Sequence, residues 1–274
     1  MTSVVVRSWD QIDVQELASC IRVIAFDLDN TLAVSKQPMK PDMTSCLTRL
    51  TQLVPVAIIT GGRWELVASQ ILNVLGEDAD LRHLHLMPTS GSSYYQWDGD
   101  CWRCVYSRTL SQDDRDATIA SLTRHAKEQG IWPEHAWGNL IEDRGSQITF
   151  SALGQQAPTD AKQAWDPDDM KKSRLVEAVR KDLPHLRVRA GGYTSVDVSE
   201  ANIDKAFAVH ELARRLDVLP SQIVFVGDRM TPDGNDYPAA EAGAIALRVS
   251  GPEDTVVLCE RLIAALVNVA QINL

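Results

Sequence analysis

Residues 23–32 read VIAFDLDNTL, and the rest of the chain can be placed around this stretch. Its first half is an apolar run rich in β-branched residues, which predicts a strand buried on both faces. Asp27 and Asp29 follow, and residues two apart in an extended chain point to the same side. Two like charges on one side have no place in an apolar core. The pair therefore indicates either a functional site or two aspartates that form a turn and cap a helix.

The functional alternative has a definite chemistry. Hard divalent ions such as Mg²⁺ prefer oxygen ligands, so a bound cation would hold both carboxylates ionised. One carboxylate could then attack a phosphorus atom while its neighbour moves a proton. The downstream sequence decides between the two interpretations.

Length and composition limit the classes of protein to consider. A chain of 274 residues exceeds the usual size of one domain, which predicts two domains or one domain with a large insertion. The net charge of −10 argues against nucleic acid and anionic membranes as main partners. The first residues lack the features of a signal peptide, so a cytoplasmic location is expected. Cys101 and Cys104 have no second pair, which favours incidental cysteines over a zinc site.

Hydrophobic periodicity divides the chain into three segments. Apolar spacing predicts helices at 41–53, 64–75, 205–216 and 253–269, and buried strands at 55–59, 223–226 and 243–247. This alternation predicts a parallel sheet with helices on both faces. The middle segment instead predicts a hairpin at 93–106, helices at 113–129 and 168–181, and strands at 141–150 and 186–189. We therefore predict a core formed by residues 1–91 and 190–274, with a separate α+β domain inserted at 92–189.

Several polar residues fall at the carboxyl ends of the predicted core strands or just beyond them, where open α/β sheets place ligands. Thr60 ends the strand at 55–59, and its hydroxyl, together with the N–H groups of the glycines that follow, could hold a phosphoryl oxygen. Lys205 could neutralise charge on a phosphoryl group and on its nucleophile. An acidic loop follows the strand at 223–226 and could complete a metal site with Asp228, Asp233 and Asp236.

Each feature has an ordinary structural alternative. Thr60 could belong to a simple strand-ending turn, Lys205 could be a solvated helix charge, and an Asp-rich loop with Gly and Pro is often only a turn. Their joint occurrence with Asp27, each at its expected element, favours a site for phosphoryl transfer.

These motifs are those of a known family. The sequence resembles the haloacid dehalogenase superfamily of aspartate-nucleophile phosphotransferases, through DLDNT at 27–31, Thr60, Lys205 and GDRMTPDGND at 227–236. The large insertion is similar to that of members with an α/β cap, and eukaryotic-type phosphomannomutases are the most similar group. The resemblance covers nearly the whole chain, including GGYTSVDV at 191–198. It implies a Rossmann-like, doubly wound parallel sheet as the core, with an inserted α+β cap domain.

The resemblance also implies roles for the core residues. Asp27 would be the nucleophile that becomes an aspartyl phosphate, and Asp29 the general acid and base. Asp27 and Asp228 would be carboxylate ligands of Mg²⁺, which the backbone carbonyl of Asp29 would also face. Asp236 would support Lys205 or the metal. Whether Asp233 or Asp236 contacts the metal directly stays open.

Further residues match positions that contact the substrate in those mutases. The expected substrate-binding residues are Gly61, Lys36, Arg144, Ser151, Ser195, Asp197 and Asn235. A guanidinium such as that of Arg144 is suited to fork-like recognition of a phosphate. Mutases of this kind pair through their caps, so a homodimer is one expectation.

Four departures from the mutase pattern bear on the activity. Gly154-Gln155 stands where the mutases have Gly-Arg, Gly145 replaces an asparagine, Lys36 replaces an arginine, and Thr60 belongs to the phosphatase form of the second motif. A mutase must retain a bisphosphorylated sugar, which needs strong anion recognition at both ends. These differences favour an Mg²⁺-dependent phosphatase of a sugar phosphate or similar small metabolite over a hexose-phosphate mutase. A non-catalytic binding protein on the same scaffold is the third alternative.

Overall fold

The computed structural model describes residues 4–272, which divide into two compact units. The core unit comprises the chain up to Ser107 and again from Ile203, and the inserted unit comprises Arg108–Asn202. The strands are β1 (Val6–Ser8), β2 (Val23–Phe26), β3 (Val56–Ile59), β4 (Leu84–Met87), β5 (Ser93–Trp97), β6 (Trp102–Ser107), β7 (Ile141–Asp143), β8 (Gln147–Ser151), β9 (Leu186–Ala190), β10 (Ser195–Glu200), β11 (Ile223–Gly227) and β12 (Ile245–Arg248).

The helices alternate with these strands through most of the core unit. They are α1 (Val14–Cys20), α2 (Pro41–Leu53), α3 (Trp64–Val67), α4 (Gln112–Glu128), α5 (Thr159–Trp165), α6 (Met170–Asp182), α7 (Lys205–Leu216), α8 (Tyr237–Glu241) and α9 (Pro252–Ile272). Among the helices of residues 4–272, none combines the length and apolar character that a membrane span requires.

The core unit contains an eight-stranded sheet in the order β1-β12-β11-β2-β3-β4-β5-β6. The first six strands of this order pair in parallel, and β5 and β6 are added as an antiparallel hairpin. All four residues of β2 are buried, because apolar side chains cover both faces of the sheet. Ile24 and Phe26 pack in one cluster with α2 and α9, whereas Val23 and Ala25 pack in the other with α7 and α8. The predicted doubly wound α/β core is confirmed.

The inserted unit has its own sheet and core. Its antiparallel strands follow the order β7-β8-β10-β9. Alternate residues of these strands, such as Ile148, Phe150 and Val196, are buried against apolar residues of α4 and α6. The other face of the sheet carries polar residues, and those of β8 (Gln147, Thr149 and Ser151) are buried as well.

The compact units differ from the predicted domain boundaries at 92 and 189. The hairpin of β5 and β6 belongs to the core unit because β5 pairs with β4, and Tyr94 is buried in the core. At the other boundary, β10 pairs with β8 and β9, so the inserted unit continues to Asn202. The hairpin and its turn at Asp98 lie where the sequence predicts them, but they belong to the core unit rather than to the inserted one.

The helix predicted at 64–75 is shorter and irregular. It is α-helical only over Trp64–Val67 and continues as a wider π-helical turn over Ala68–Leu72. In this wider turn the N–H of Asn73 donates to the carbonyl of Ala68 (3.0 Å), five residues back. The carbonyl of Gln70 instead accepts the N–H of Met39 at 3.0 Å, which ties the turn to the loop after β2.

Candidate active site

Three neighbouring strands bring three predicted site residues to one edge of the sheet. Asp27 follows β2, Thr60 follows β3, and Asp228 follows β11. Because β2 lies between β3 and β11 and all three run in parallel, their carboxyl ends lie side by side. The N–H of Asp27 donates to the carbonyl of Val226 at 2.9 Å, which fixes the backbone at this point.

Lys205 reaches the same site from the first residue of α7. The side chain of Asp204 caps this helix by accepting the N–H groups of Ala206 (2.9 Å) and Phe207 (3.0 Å). Lys205 is buried, and its ammonium donates to Asp27 Oδ1 and Asp236 Oδ1 in two short ion pairs. The helix start therefore places a buried cation between two carboxylates.

The loop after β11 folds back so that Asp236 is completely buried beside Gly227. Asp236 Oδ2 accepts the N–H of Arg229 at 2.9 Å, while its Oδ1 accepts from Lys205. Asp236 therefore contacts Lys205 directly, while its role at the site stays a prediction. Asn235, which precedes it, is half-buried.

The site holds more negative than positive charge. Asp27, Asp228 and Asp236 offer carboxylate oxygens within 4.8 Å of one another, and Lys205 contributes one positive charge. Burial raises the pKa of Asp27 to about 8, against the opposing effect of Lys205. Burial, followed by the charge of Asp236, raises the pKa of Asp228 to about 6. Burial opposes a charge on Lys205, but Asp236 and Asp27 outweigh it and raise its pKa.

This donor set fits a divalent cation. Three carboxylates beside one ammonium leave two formal negative charges, and hard cations such as Mg²⁺ take oxygen ligands. Asp233, the other candidate metal ligand, is exposed and lies outside the acidic cluster found among residues 4–272. The structure therefore gathers Asp236 rather than Asp233 with Asp27.

Asp29 is held by groups from the loop and helix that follow it. Its Oδ1 accepts the backbone N–H of Lys36 at 2.9 Å and Nε2 of Gln70 at 3.2 Å. Lys36 has a positive φ of 61°, a conformation that few residues other than glycine adopt. This contact of Lys36 is made by its backbone, and a role of its side chain in substrate binding stays a prediction.

Thr60 lies in a tightly fixed loop. Its hydroxyl accepts the N–H of Gly62 at 3.0 Å, so that N–H group is already engaged, contrary to its expected role in holding a phosphoryl oxygen. The carbonyls of Thr60 and Gly62 accept N–H groups of Ser90 (2.7 Å) and Thr89 (2.8 Å). Thr89 and Ser90 both have positive φ, a strained conformation that persists where the surroundings enforce it.

The predicted substrate-binding residues of the inserted unit share the polar side of its sheet. Ser151 pairs with Ser195 across β8 and β10, and the Thr149 hydroxyl donates to Asp197 at 2.7 Å. Arg144 donates to Glu142 through Nε (2.9 Å) and Nη2 (2.7 Å), so its guanidinium is partly neutralised within the unit.

Three polar residues that lie beside the predicted site residues were not identified from the sequence. Glu142 and Arg189 lie in one cross-strand row with Thr149 and Asp197, a relation that only the strand register reveals. Gln70 has a visible signal, since it occupies the buried helical face with Val67 and Ile71 although its side chain is polar.

Gly227→Ala is expected to disrupt the site, because an added Cβ would overlap the carboxyl group of Asp236. We expect a stability loss of about 1–3 kcal/mol, typical of overpacking, and a fall in kcat as Asp236 is displaced from Lys205. Gly192→Ala is the matched control, since a Cβ there meets nothing within 4 Å. Urea unfolding and steady-state kinetics test both variants, and equal behaviour of the two would contradict the expected overlap.

Sequence comparisons agree with these observations. The family model "Eukaryotic phosphomannomutase" matches residues 43–265. The chain is 28% identical over 247 residues to a probable phosphomannomutase of Caenorhabditis elegans, covering 87% of this chain and 94% of that protein. It is 24% identical over 246 residues to the phosphomannomutase of Spinacia oleracea, covering 88% and 95%.

Solved structures show the same fold at low identity. Plasmodium falciparum IMP-nucleotidase superimposes with a TM-score of 0.71 at 16% identity, over 93% of this chain and 71% of that one. Aspergillus fumigatus trehalose-6-phosphate phosphatase gives a TM-score of 0.58 at 14% identity, over 95% of this chain and 100% of that one. Because the family model spans most of the chain, the protein is an enzyme of the eukaryotic phosphomannomutase family, within the haloacid dehalogenase superfamily.

Proposed function

We propose that the protein is a phosphohydrolase that moves a phosphoryl group from a small phosphorylated metabolite, such as a sugar phosphate, to Asp27 and then to water. The observation that carries this proposal is the buried contact of Lys205 with Asp27 and Asp236. A buried ammonium beside a carboxylate lowers the charge repulsion that a phosphate ester would meet on approaching it.

In the first step, an oxygen of Asp27 forms a bond to phosphorus while the bond from phosphorus to the substrate oxygen breaks. Asp29 donates a proton to that leaving oxygen. In the second step, Asp29 accepts a proton from water as the water oxygen attacks phosphorus. The bond to Asp27 then breaks, which releases inorganic phosphate and regenerates both carboxyl groups.

Mg²⁺ held by Asp27, Asp228 and the backbone carbonyl of Asp29 would supply positive charge to the phosphoryl oxygens. In this proposal Asp236 keeps Lys205 in place, and Thr60 and Gly61 contact the phosphoryl group. Lys36, Asn235 and, in the inserted unit, Arg144, Ser151, Ser195 and Asp197 are the proposed substrate-binding residues. A homodimer formed through the inserted unit also stays a prediction.

Hydrolysis is favoured over a mutase reaction by the charges of the inserted unit. Gln155 is neutral where the mutases carry an arginine, and Arg144 is paired with Glu142. A weaker hold on a second phosphate lets the dephosphorylated product leave before it can take the phosphoryl group back.

A hexose-phosphate mutase is the second candidate. The family match supports it, and Lys162 places its ammonium 3.0 Å from the carbonyl oxygen of Gln155. A cation therefore lies beside the position where the arginine is missing.

One experiment separates the two candidates. A panel of sugar phosphates, including mannose 1-phosphate, is assayed for inorganic phosphate and for the isomerised sugar phosphate, with and without glucose 1,6-bisphosphate. We expect phosphate release that needs no bisphosphate, stops with a chelator and returns with Mg²⁺. Isomerisation that depends on the bisphosphate, with little free phosphate, would instead establish the mutase. Absence of both activities across the panel would contradict both candidates.

A further inference from the structure

Gln70 lies in the core unit with 1% of its surface exposed, on the π-helical turn that follows α3. Such turns are rare and often occur at functional sites. Its Oε1 is buried without a hydrogen-bond partner among residues 4–272, which costs about 1–3 kcal/mol relative to a satisfied group. An apolar side chain would avoid this cost, so the amide must contribute something that packing does not explain.

The orientation of the amide is fixed by its neighbours. Nε2 donates to the carbonyl of Gln37 at 2.9 Å, and an amide oxygen in that position would face another acceptor. The second hydrogen of Nε2 points to Asp29 Oδ1 at 3.2 Å. The backbone carbonyl of Gln70 also accepts the N–H of Met39, so this residue holds both ends of the segment between Asp29 and Met39.

We infer that Gln70 is a positioning residue that fixes the carboxyl group of Asp29 for proton transfer, an inference that rests on the proposed function. Oδ1 of Asp29 receives two donors, the Lys36 N–H and the Gln70 amide. Two donors on one oxygen restrict rotation of the carboxyl group and leave Oδ2 as the atom that carries the proton to the substrate. Misplacement of such a group by about 1 Å can lower the rate about 100-fold.

The test uses the chemistry of the leaving group. Nitrophenolate leaves without protonation, whereas a sugar alkoxide needs a proton from Asp29. The ratio kcat/KM reports the steps up to departure of the leaving group, so it isolates the proton donation. For Gln70→Leu we expect kcat/KM with a sugar phosphate to fall about 10–100-fold, and kcat/KM with 4-nitrophenyl phosphate to change less than about threefold. If Gln70 had only a structural role, kcat/KM would fall by the same factor with both substrates.

Gln52→Leu is the matched control, because the Gln52 amide also donates to a backbone carbonyl, that of Asp78 (2.8 Å), but lies exposed on α2. Gln52→Leu should leave kcat/KM unchanged with both substrates. If circular dichroism shows that Gln70→Leu does not fold, Gln70→Met replaces it in the same assays, because methionine preserves the side-chain length.

The possible outcomes distinguish a failure of the role of Gln70 from a failure of the proposed function. Equal losses on both substrates, or no loss on either, in a wild type that hydrolyses both would overturn the role of Gln70 alone. A wild type that transfers no phosphoryl group, or an Asp27→Asn variant that remains active, would overturn the proposed function and this inference with it.

Discussion

Asp27→Asn is expected to lower phosphoryl transfer on the order of 10⁶-fold, the scale seen when an enzyme loses its nucleophile. An amide oxygen is a poor nucleophile, and the phosphorylated amide would not form. Stopped in acid during turnover with a sugar phosphate, the wild type should carry one additional phosphoryl group on the peptide that contains residue 27. Mass spectrometry of the intact and digested protein measures this, and the variant should remain unmodified.

The same variant should fold normally, which separates chemistry from stability. Burial raises the pKa of Asp27, so without a cation the ionised side chain is unfavourable in the folded state. A neutral amide of the same size removes that cost, and Lys205 keeps its ion pair with Asp236. We therefore expect the unfolding temperature in a chelator to be equal to or above that of the wild type.

Asp42→Asn provides the control, because Asp42 is exposed in the first turn of α2. Its turnover should equal that of the wild type. Full activity in Asp27→Asn, or a phosphoryl group trapped on another side chain, would contradict the assignment of the nucleophile.

The residues that sequence could place are those governed by short-range patterns. The apolar run before Asp27 predicts β2, and the same reasoning places Thr60 and Asp228 at the ends of β3 and β11. Alternating strands and helices imply a parallel sheet, and the carboxyl ends of its strands lie at one edge. The proximity of these residues can therefore be predicted without knowing any side-chain contact. The sequence offers Lys205 as a cation for the site, but no local pattern shows its contact with Asp27, which joins residues 178 positions apart.

The features that sequence did not place depend on long-range pairing. Nothing local in β5 shows that it pairs with β4 and so joins the core sheet, and the boundary near residue 92 therefore differs. The choice between Asp233 and Asp236 depends on how the loop after β11 folds back onto Gly227. The wider turn at Gln70 likewise involves a distant part of the chain, because the carbonyl of Gln70 accepts the N–H of Met39.

Among the site variants, Lys205→Met is expected to be the most destabilising. Lys205 is the cation between Asp27 and Asp236, and its removal leaves two buried carboxylates without their partner. Breaking a buried ion pair from one side costs about 3–5 kcal/mol, because the remaining charge is neither solvated nor paired. Urea unfolding in a chelator measures this loss, and phosphate release should also be abolished.

A second substitution shows whether the loss comes from charge. In Lys205→Met with Asp236→Asn, one unpaired carboxylate becomes neutral, so part of the stability should return while activity remains absent. Lys172→Met is the matched control, since Lys172 is also buried but pairs with the exposed Asp169 in the inserted unit. Water can solvate Asp169 once its partner is gone, so we expect this variant to lose only about 1–2 kcal/mol. If Lys205→Met and Lys172→Met lost the same stability, the cost would come from packing of the side chain, and the charge balance proposed for the site would be wrong.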